Sequence, residues 1–177
     1  KKPPARERMF HLHIAIAPTK NMARMEWFVE KVTELGIDEI TPIFCQQSER
    51  TKIRLDRLEK IAISAMKQSL RSYLPKINAP VKMNQLLSNY QSETARLNKY
   101  IAHCESTKKV NLWDTYRMGK DALILIGPEG DFSSQEIEQA LSLNFKAISL
   151  GTHRLRTETA GITACNVINI VNQKGEI

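Results

Sequence analysis

The sequence predicts a layered α/β fold, and three observations support this prediction. Segments with strand-like and helix-like patterns alternate along the 177 residues, which is typical of α/β domains. A purely apolar run at 122–126 indicates a buried parallel strand. Glycine-containing turns at 126–132 and 150–159 each follow a predicted strand. Because ligands bind outside the carboxyl ends of strands in open α/β sheets, we expect these two turns to form the functional site.

The amino-terminal half predicts a βαβ unit. Residues 10–17 alternate as in a strand, and residues 22–35 place apolar side chains at helical spacing before Gly36, a good helix terminator. A second strand at 37–44 should be parallel to the first, because a helix connects them. The elements predicted to follow are a helix over 55–73 ended by Pro75, a short strand over 79–82, and a short helix capped by Asn84 that runs to Tyr90.

The carboxyl-terminal half continues the alternation. The predicted elements are a strand over 100–104, an irregular stretch over 105–119 with a helical turn near Trp113, the strand at 122–126, a helix, a strand over 145–150, and a final helix that opens at Thr157 or Thr159. Ser133 and Glu136 form a capping box for the first of these helices. Its core-facing residues should be Ile137, Ala140 and Leu141, and the apolar stripe of the final helix should be Ala160, Ala164, Val167, Ile168 and Val171.

Basic residues dominate one stretch of the chain. The formal net charge is +7, and residues 50–76 carry eight lysines and arginines against only Asp56 and Glu59. A solvated helix face would explain such a run, and so would a surface that contacts the phosphate groups of a polyanion.

Cysteine usage and hydropathy point to the cytoplasm. Cys45, Cys104 and Cys165 are odd in number and far apart, which suits a reducing compartment and no disulfide framework. No apolar run reaches the length that spans a bilayer, so we expect no membrane partner. The histidines have no Cys/His spacing typical of zinc sites, so we expect no metal.

The two glycine-containing turns carry unusual residue choices. In the first, Gly127 and Gly130 flank a proline and a glutamate. It lacks the Gly-Lys-Ser/Thr ending of a phosphate loop and the glycine spacing of a dinucleotide fingerprint, so a plain tight turn remains open. In the second, Arg156 offers a planar fork of donors for phosphate or carboxylate. Glu158 is a candidate functional residue or simply a favourable negative charge at a helix start.

At these residues the chain resembles the RsmE family, a group of small-subunit ribosomal RNA methyltransferases within the SPOUT superfamily. The motifs are Leu-Ile-Gly-Pro-Glu-Gly at 125–130 and Leu-Gly-x-x-x-Leu-Arg-x-Glu-Thr-Ala at 150–160. Two further segments, Lys-Val-Thr-Glu-Leu-Gly at 31–36 and Lys-Gln-Ser-x-Arg at 67–71, are similar to family segments. The resemblance covers residues 10–172.

The resemblance implies a mostly parallel sheet with helices on both faces and a carboxyl-terminal trefoil knot. It also implies S-adenosylmethionine as cofactor, a homodimer, and methylation of N3 of one uridine in 16S rRNA of the small ribosomal subunit. Apolar residues of the final helix, Ile162, Ile170 and Ile177, would then face either a second subunit or the core. The family carries an amino-terminal PUA-like domain, so we expect residues 1–9 to be a linker or tail left from it and 10–177 to be the methyltransferase domain.

The resemblance also implies roles for individual residues. The expected cofactor-binding residues are Leu125, Ile126, Gly127, Glu129, Gly130, Leu150, Gly151, Leu155 and Arg156, with His103 and Glu105 from a third loop. Arg156 would stabilise the developing uridine anion, and Glu158 would accept the proton or hold Arg156. The expected RNA-binding residues are Arg50, Lys52, Arg54, Lys67 and Arg71, together with the segment 1–8.

Two departures from the family pattern leave other functions open. Asp131 stands where the family usually has a second glycine, and Lys67 replaces a common glutamate. The alternatives are a methyltransferase for another RNA target, such as a ribose 2′-hydroxyl, and a non-catalytic RNA-binding factor of ribosome assembly. A plain nucleotide-binding module would need a phosphate loop, which the sequence lacks.

Overall fold

The computed structural model describes residues 8–91, 97–106 and 108–173. Its strands are β1 (Leu12–Ile16), β2 (Glu39–Phe44), β3 (Lys76–Ile77), β4 (Val81–Lys82), β5 (Leu97–Ala102), β6 (Val110–Asn111), β7 (Asp121–Ile126) and β8 (Lys146–Ser149). Its helices are α1 (Met22–Leu35), α2 (Leu55–Gln68), α3 (Met83–Ser88), α4 (Leu112–Thr115), α5 (Ser134–Ser142) and α6 (Thr157–Gln173).

The strands form one sheet in the order β3-β2-β1-β7-β5-β8-β6, with β4 also paired to β2. Each pairing between described strands is parallel. The carboxyl ends of the central strands therefore meet at one edge of the sheet, which is where the two glycine-containing turns begin. The expected mostly parallel sheet is confirmed.

Helices cover both faces of the sheet. On one face, α1 and α6 pack together over the sheet, and Phe28 and Ile168 contribute to a fully buried cluster with Ile14. On the other face, α3 and α5 bury Leu87 and Ile137 against the sheet. Apolar side chains alternate between these two clusters along each central strand, as the two-residue period of a strand requires.

Local sequence signals correctly placed the best-defined helices. Helix α1 has the predicted bounds, since the Asn21 side chain accepts a hydrogen bond from the Ala23 N–H at 3.0 Å and Gly36 ends the helix with a φ of 103°. The capping box of Ser133 and Glu136 opens α5 as predicted. The helical turn near Trp113 is α4.

Helix α2 is shorter than predicted. It ends at Gln68 instead of 73, because Leu70 adopts a left-handed φ of 55° and the Arg71 N–H bonds the Met66 carbonyl at 3.0 Å. A proline at position 75 only limits how far the helix can extend. No glycine occurs near Gln68, so the sequence did not predict that the helix ends there.

Other boundaries also differ from prediction. Strand β5 begins at Leu97 instead of Tyr100, and the two-residue strands β3 and β6 were not predicted. Helix α3 begins at Met83, so Asn84 lies inside it and does not cap it. Leu141 was expected in the core but is 39% exposed, since Ile137 and Ala140 already fill the inward face of the short α5.

The final helix carries its apolar stripe largely as predicted. Ala164 and Ile168 are buried, while Ala160, Val167 and Val171 are partly buried against the same cluster. Ile162 also packs there, Ile170 is exposed, and Ile177 lies outside the described residues.

Arg8, in the segment expected to be a linker, is bound into the domain. Its guanidinium donates to the Gly36 carbonyl at 3.0 Å, to the Tyr73 hydroxyl at 2.6 Å and to Asn169 Oδ1 at 2.7 Å. These bonds hold the Arg8 side chain inside the domain. Residues 1–7 of the same prediction lie outside the described residues. Among the helices that the structure describes, none combines the length and apolar character needed to cross a membrane.

Close packing at Gly161 gives a test of how α6 packs against α1 and β1. A β-carbon at this position would lie 2.5 Å from Phe28 Cε2 and 3.1 Å from Ile16 Cδ1. We expect Gly161→Val to lower the free energy of unfolding by about 1–3 kcal/mol, because overpacking displaces buried side chains. Urea titration measures the loss. Asn166→Ala, at an exposed position of the same helix, is the control and should change stability by less than about 0.5 kcal/mol. An equal loss of stability in both variants would contradict the close packing at Gly161.

Candidate functional site

A cavity of about 750 Å³ opens at the carboxyl ends of β5, β7 and β8. Its floor is made by Ala102, Ile126 and Ile148, which are aligned partners in the sheet register. This size is in the range of pockets that bind small molecules. The cavity lies where the sequence predicted a site.

Most of the predicted cofactor-binding residues line this cavity. They are His103, Ile126, Gly127, Glu129, Leu150, Gly151, Leu155 and Arg156. The structure thus brings together residues from three loops that are up to 53 positions apart in the sequence.

Three other predicted residues do not line the cavity. Leu125 is fully buried on the opposite face of the sheet, because side chains alternate along β7. Gly130 faces Gln47, whose Oε1 would lie 2.7 Å from an added β-carbon. The Glu105 carboxylate accepts a hydrogen bond from the Ser134 hydroxyl at 2.5 Å, so it is directed to the start of α5.

Hydrogen bonds join the two glycine-containing turns directly. The buried Thr157 hydroxyl donates to the Gly127 carbonyl at 3.0 Å. The Arg154 guanidinium donates to the Glu129 carbonyl at 3.3 Å. The start of α6 is therefore fixed to the turn after β7, and the cavity lies between them.

A turn that the sequence did not assign to the site also supports it. The Lys20 N–H, just after β1, donates to Glu129 Oε1 at 2.8 Å. This bond holds the Glu129 side chain from the neighbouring strand. Lys20 follows a predicted strand. Because sites in α/β sheets lie at the carboxyl ends of strands, the sequence could have identified this residue.

Asp131 links the first turn to the loop after β5. Its Oδ2 accepts from the Cys104 N–H at 2.7 Å, and its Oδ1 accepts from the Phe132 N–H at 2.9 Å. Asp131 has a φ of 69°, a conformation that glycine adopts freely and aspartate adopts more readily than most residues. The aspartate thus keeps the backbone shape of a glycine and adds a hydrogen bond between loops.

His103 presents unused polar atoms at the cavity. Its side chain is 7% exposed, and neither ring nitrogen has a hydrogen-bond partner among the described residues. Burial lowers the pKa of His103, and the nearby Lys109 lowers it further. The imidazole is therefore neutral near pH 7 and has one donor and one acceptor to offer a ligand.

The two predicted catalytic residues occupy different environments. Arg156 is exposed and lines the cavity. Glu158 is 5% exposed and is absent from the cavity lining. Its Oε1 lies 3.7 Å from Arg24 Nε on α1, and its Oε2 has no hydrogen-bond partner among the described residues. The carboxylate is thus placed between α1 and α6.

The predicted RNA-binding residues also separate into groups. Lys52, Arg54 and Lys67 are exposed. Arg50 donates to the Lys20 carbonyl at 2.7 and 3.1 Å and lies beside the cavity edge. Arg71 donates to the Glu34 carbonyl at 2.8 and 3.0 Å, where it caps the end of α1. The guanidinium of Arg71 is therefore used inside the domain.

Comparisons with known proteins show which family the chain resembles. Residues 6–169 match the family model described as an RNA methyltransferase domain. The ribosomal RNA small subunit methyltransferase E of Mesomycoplasma hyopneumoniae (strain 232) is 34% identical over 156 residues, which are 85% of this chain and 65% of the relative. The chain spans less than two thirds of the length of this and the other most similar curated relatives.

Two solved structures of methyltransferases are also similar to this chain. The crystal structure of a probable rRNA-methyltransferase from Porphyromonas gingivalis is 42% identical, with a TM-score of 0.88 over 96% of this chain and 71% of that chain. A putative methyltransferase from Legionella pneumophila, solved in complex with the cofactor SAM, is 34% identical, with a TM-score of 0.79 over 93% of this chain and 68% of that chain.

The bond between Asp131 and Cys104 can be tested with a matched pair of variants. We expect Asp131→Gly and Asp131→Ala both to speed amide hydrogen exchange at Cys104, because each removes the acceptor. Asp131→Ala should also be the less stable by about 1–2 kcal/mol, since alanine is strained at positive φ. NMR measures the amide exchange rate at Cys104, and urea unfolding measures the stability of each variant. Unchanged exchange at Cys104 in both variants would contradict the assigned contact.

Proposed function

The chain belongs to the RNA methyltransferase domain family, and on this premise we propose that it methylates N3 of a uridine in 16S rRNA, with S-adenosylmethionine as methyl donor. The observation that carries the proposal is the cavity between the joined turns at 127–131 and 150–157. The relative from Mesomycoplasma hyopneumoniae is a ribosomal RNA small subunit methyltransferase, which supports the small ribosomal subunit as the substrate.

The residues around the cavity fit this cofactor. Leu150 and Leu155 offer apolar surface for the adenine and the methionine chain, and backbone groups of the two turns are available for its polar edges. The unpaired nitrogens of His103 indicate a polar ligand. The SAM-bound Legionella relative supports the same choice. The bound cofactor would supply an activated methyl group for in-line transfer.

Arg156 is the proposed catalytic residue. N3 of uridine lies on the Watson–Crick edge, so the base must be unpaired or extruded to reach the cavity. As N3 loses its proton to solvent water, negative charge develops on the base. The exposed guanidinium of Arg156 stands at the cavity to stabilise that charge.

Glu158 has a positioning role in this proposal. It is buried beside Arg24 and away from the cavity lining, so it holds the start of α6 and with it Arg156. The alternative role, acceptance of the uridine proton, would require Glu158 to turn toward the cavity.

The remaining parts of the proposal concern assembly and partners. We also propose that the chain forms a carboxyl-terminal trefoil knot, assembles as a homodimer and is located in the cytoplasm. The exposed basic residues Lys52, Arg54 and Lys67 and the half-buried Arg50 are the proposed contacts to rRNA.

The nature of the product tests the function directly. We expect the chain, incubated with S-adenosylmethionine and unmodified small ribosomal subunits, to produce 3-methyluridine in 16S rRNA. Nucleoside mass spectrometry identifies the product. A ribose 2′-O-methyl product would instead indicate the alternative RNA methyltransferase. No methylation together with no binding of S-adenosylmethionine in calorimetry would indicate an assembly factor.

The role of Arg156 has its own test. We expect Arg156→Ala to keep the Kd for S-adenosylmethionine within a few-fold and to remove turnover on ribosomal subunits, because the charge on the base loses its partner. Arg117→Ala, at an exposed arginine just before β7, is the control with the same charge change. Near-normal turnover of Arg156→Ala would refute the assignment.

A further inference from the structure

A second concave surface lies on the same edge of the sheet. It is a groove of about 620 Å³ between the start of α1 and the segment that leads into α2. Its charged lining consists of Glu26, Arg50, Lys52, Arg54 and Arg57, and we call it the basic groove. Four cations face one carboxylate, so the groove favours an anionic ligand.

One ion pair builds the wall of the basic groove. Arg57 Nε lies 2.5 Å from Glu26 Oε1, and its Nη2 donates to Glu26 Oε2 at 2.9 Å. This two-point contact neutralises both groups and fixes α2 against α1. The cations left for a ligand are Arg50, Lys52 and Arg54.

These three cations are available to an anion. Arg54 pairs with Asp56 at 2.9 Å, but the side chains are 73% and 55% exposed. Solvent screens such an exposed pair, so a phosphate competes with it. Lys52 is exposed and forms no ion pair with a described residue. Arg50 bonds the Lys20 carbonyl through Nε and Nη2, which leaves Nη1 for a ligand.

The start of α2 adds to the positive potential. Arg54 is the N-cap residue and its side chain makes no capping hydrogen bond, while Asp56 is the acidic residue of the first turn. The positive end of the helix dipole therefore lies at the basic groove, next to the three cations.

Three hydrogen bonds fix the basic groove relative to the cavity. Arg50 donates two bonds to the Lys20 carbonyl, and the Lys20 N–H donates to Glu129 Oε1 on the cavity wall. Only β1 separates β2 from β7 in the sheet, so these two strands lie about 10 Å apart across the sheet, and the basic groove and the cavity open at neighbouring parts of its carboxyl edge. A single extended chain can therefore occupy both.

We propose that the basic groove binds the phosphate backbone of single-stranded RNA next to the nucleotide that enters the cavity. The inference rests on the proposed function, which supplies RNA as the ligand. Phosphate contacts fix the register of a strand without reading its sequence. The groove would thus set which nucleotide reaches the cavity, and the cavity would select the base.

A pair of double variants tests the basic groove. Lys52→Gln/Arg54→Gln removes two charges from the groove, and Arg117→Gln/Lys120→Gln removes two exposed charges before β7, at the opposite edge of the sheet. The measurement is the affinity for a fluorescent single-stranded oligouridylate over a range of salt concentrations. Two lost phosphate contacts should make the slope of log K against log salt shallower by about 1.4 in the groove variant. The control should keep the slope of the unmodified chain.

The outcomes separate this inference from the proposed function. Equal slopes for the groove variant and the unmodified chain, or an equal change in both double variants, would overturn the basic groove. Competition by inorganic phosphate as effective as that by unlabelled oligonucleotide, at equal ionic strength, would also overturn it in favour of a free-anion site. Calorimetry with S-adenosylmethionine should give the same Kd for both double variants. If the unmodified chain does not bind S-adenosylmethionine, the proposed function is refuted. The RNA measurement would still test the basic groove in that case.

Discussion

The hydrogen bond from the Thr157 hydroxyl to the Gly127 carbonyl is the contact on which the site depends. It joins two turns that lie 30 residues apart and fixes the first residue of α6 against the end of β7. Parallel pairing of β5 with β7 and β8 brings those ends to one edge of the sheet. One buried hydrogen bond contributes about 1 kcal/mol, so it selects an arrangement that the sheet has already made possible.

Contacts from outside the two turns complete the cavity. Lys20 holds the Glu129 side chain from the turn after β1, and Asp131 holds the Cys104 backbone in the loop after β5. Four segments therefore converge on a space that none of them encloses alone. Asp131, which stands where the resemblance predicts a second glycine, is therefore a structural link between two of these segments.

Burial places Arg156 and Glu158 in different environments, although only one residue stands between them. Arg156 remains exposed at the cavity, whereas Glu158 is enclosed beside Arg24. A buried carboxylate needs compensation, and the ion pair with Arg24 and the start of α6 supply it. The basic residues are divided in the same way, since Arg71 and Arg8 bond the domain itself while Lys52 and Arg54 remain at the surface.

The sequence by itself determined the α/β class, the bounds of α1, the capping box of α5 and the location of the cavity at the two glycine-containing turns. These features depend on local periodicity, on caps and on residue types that lie next to each other in the chain. It did not determine where α2 ends, which way Leu125 points, that Glu105 bonds Ser134, or that Glu158 meets Arg24. Those outcomes depend on packing between segments far apart in the chain, and only the tertiary structure decides which side chains face the cavity and which are used to hold it together.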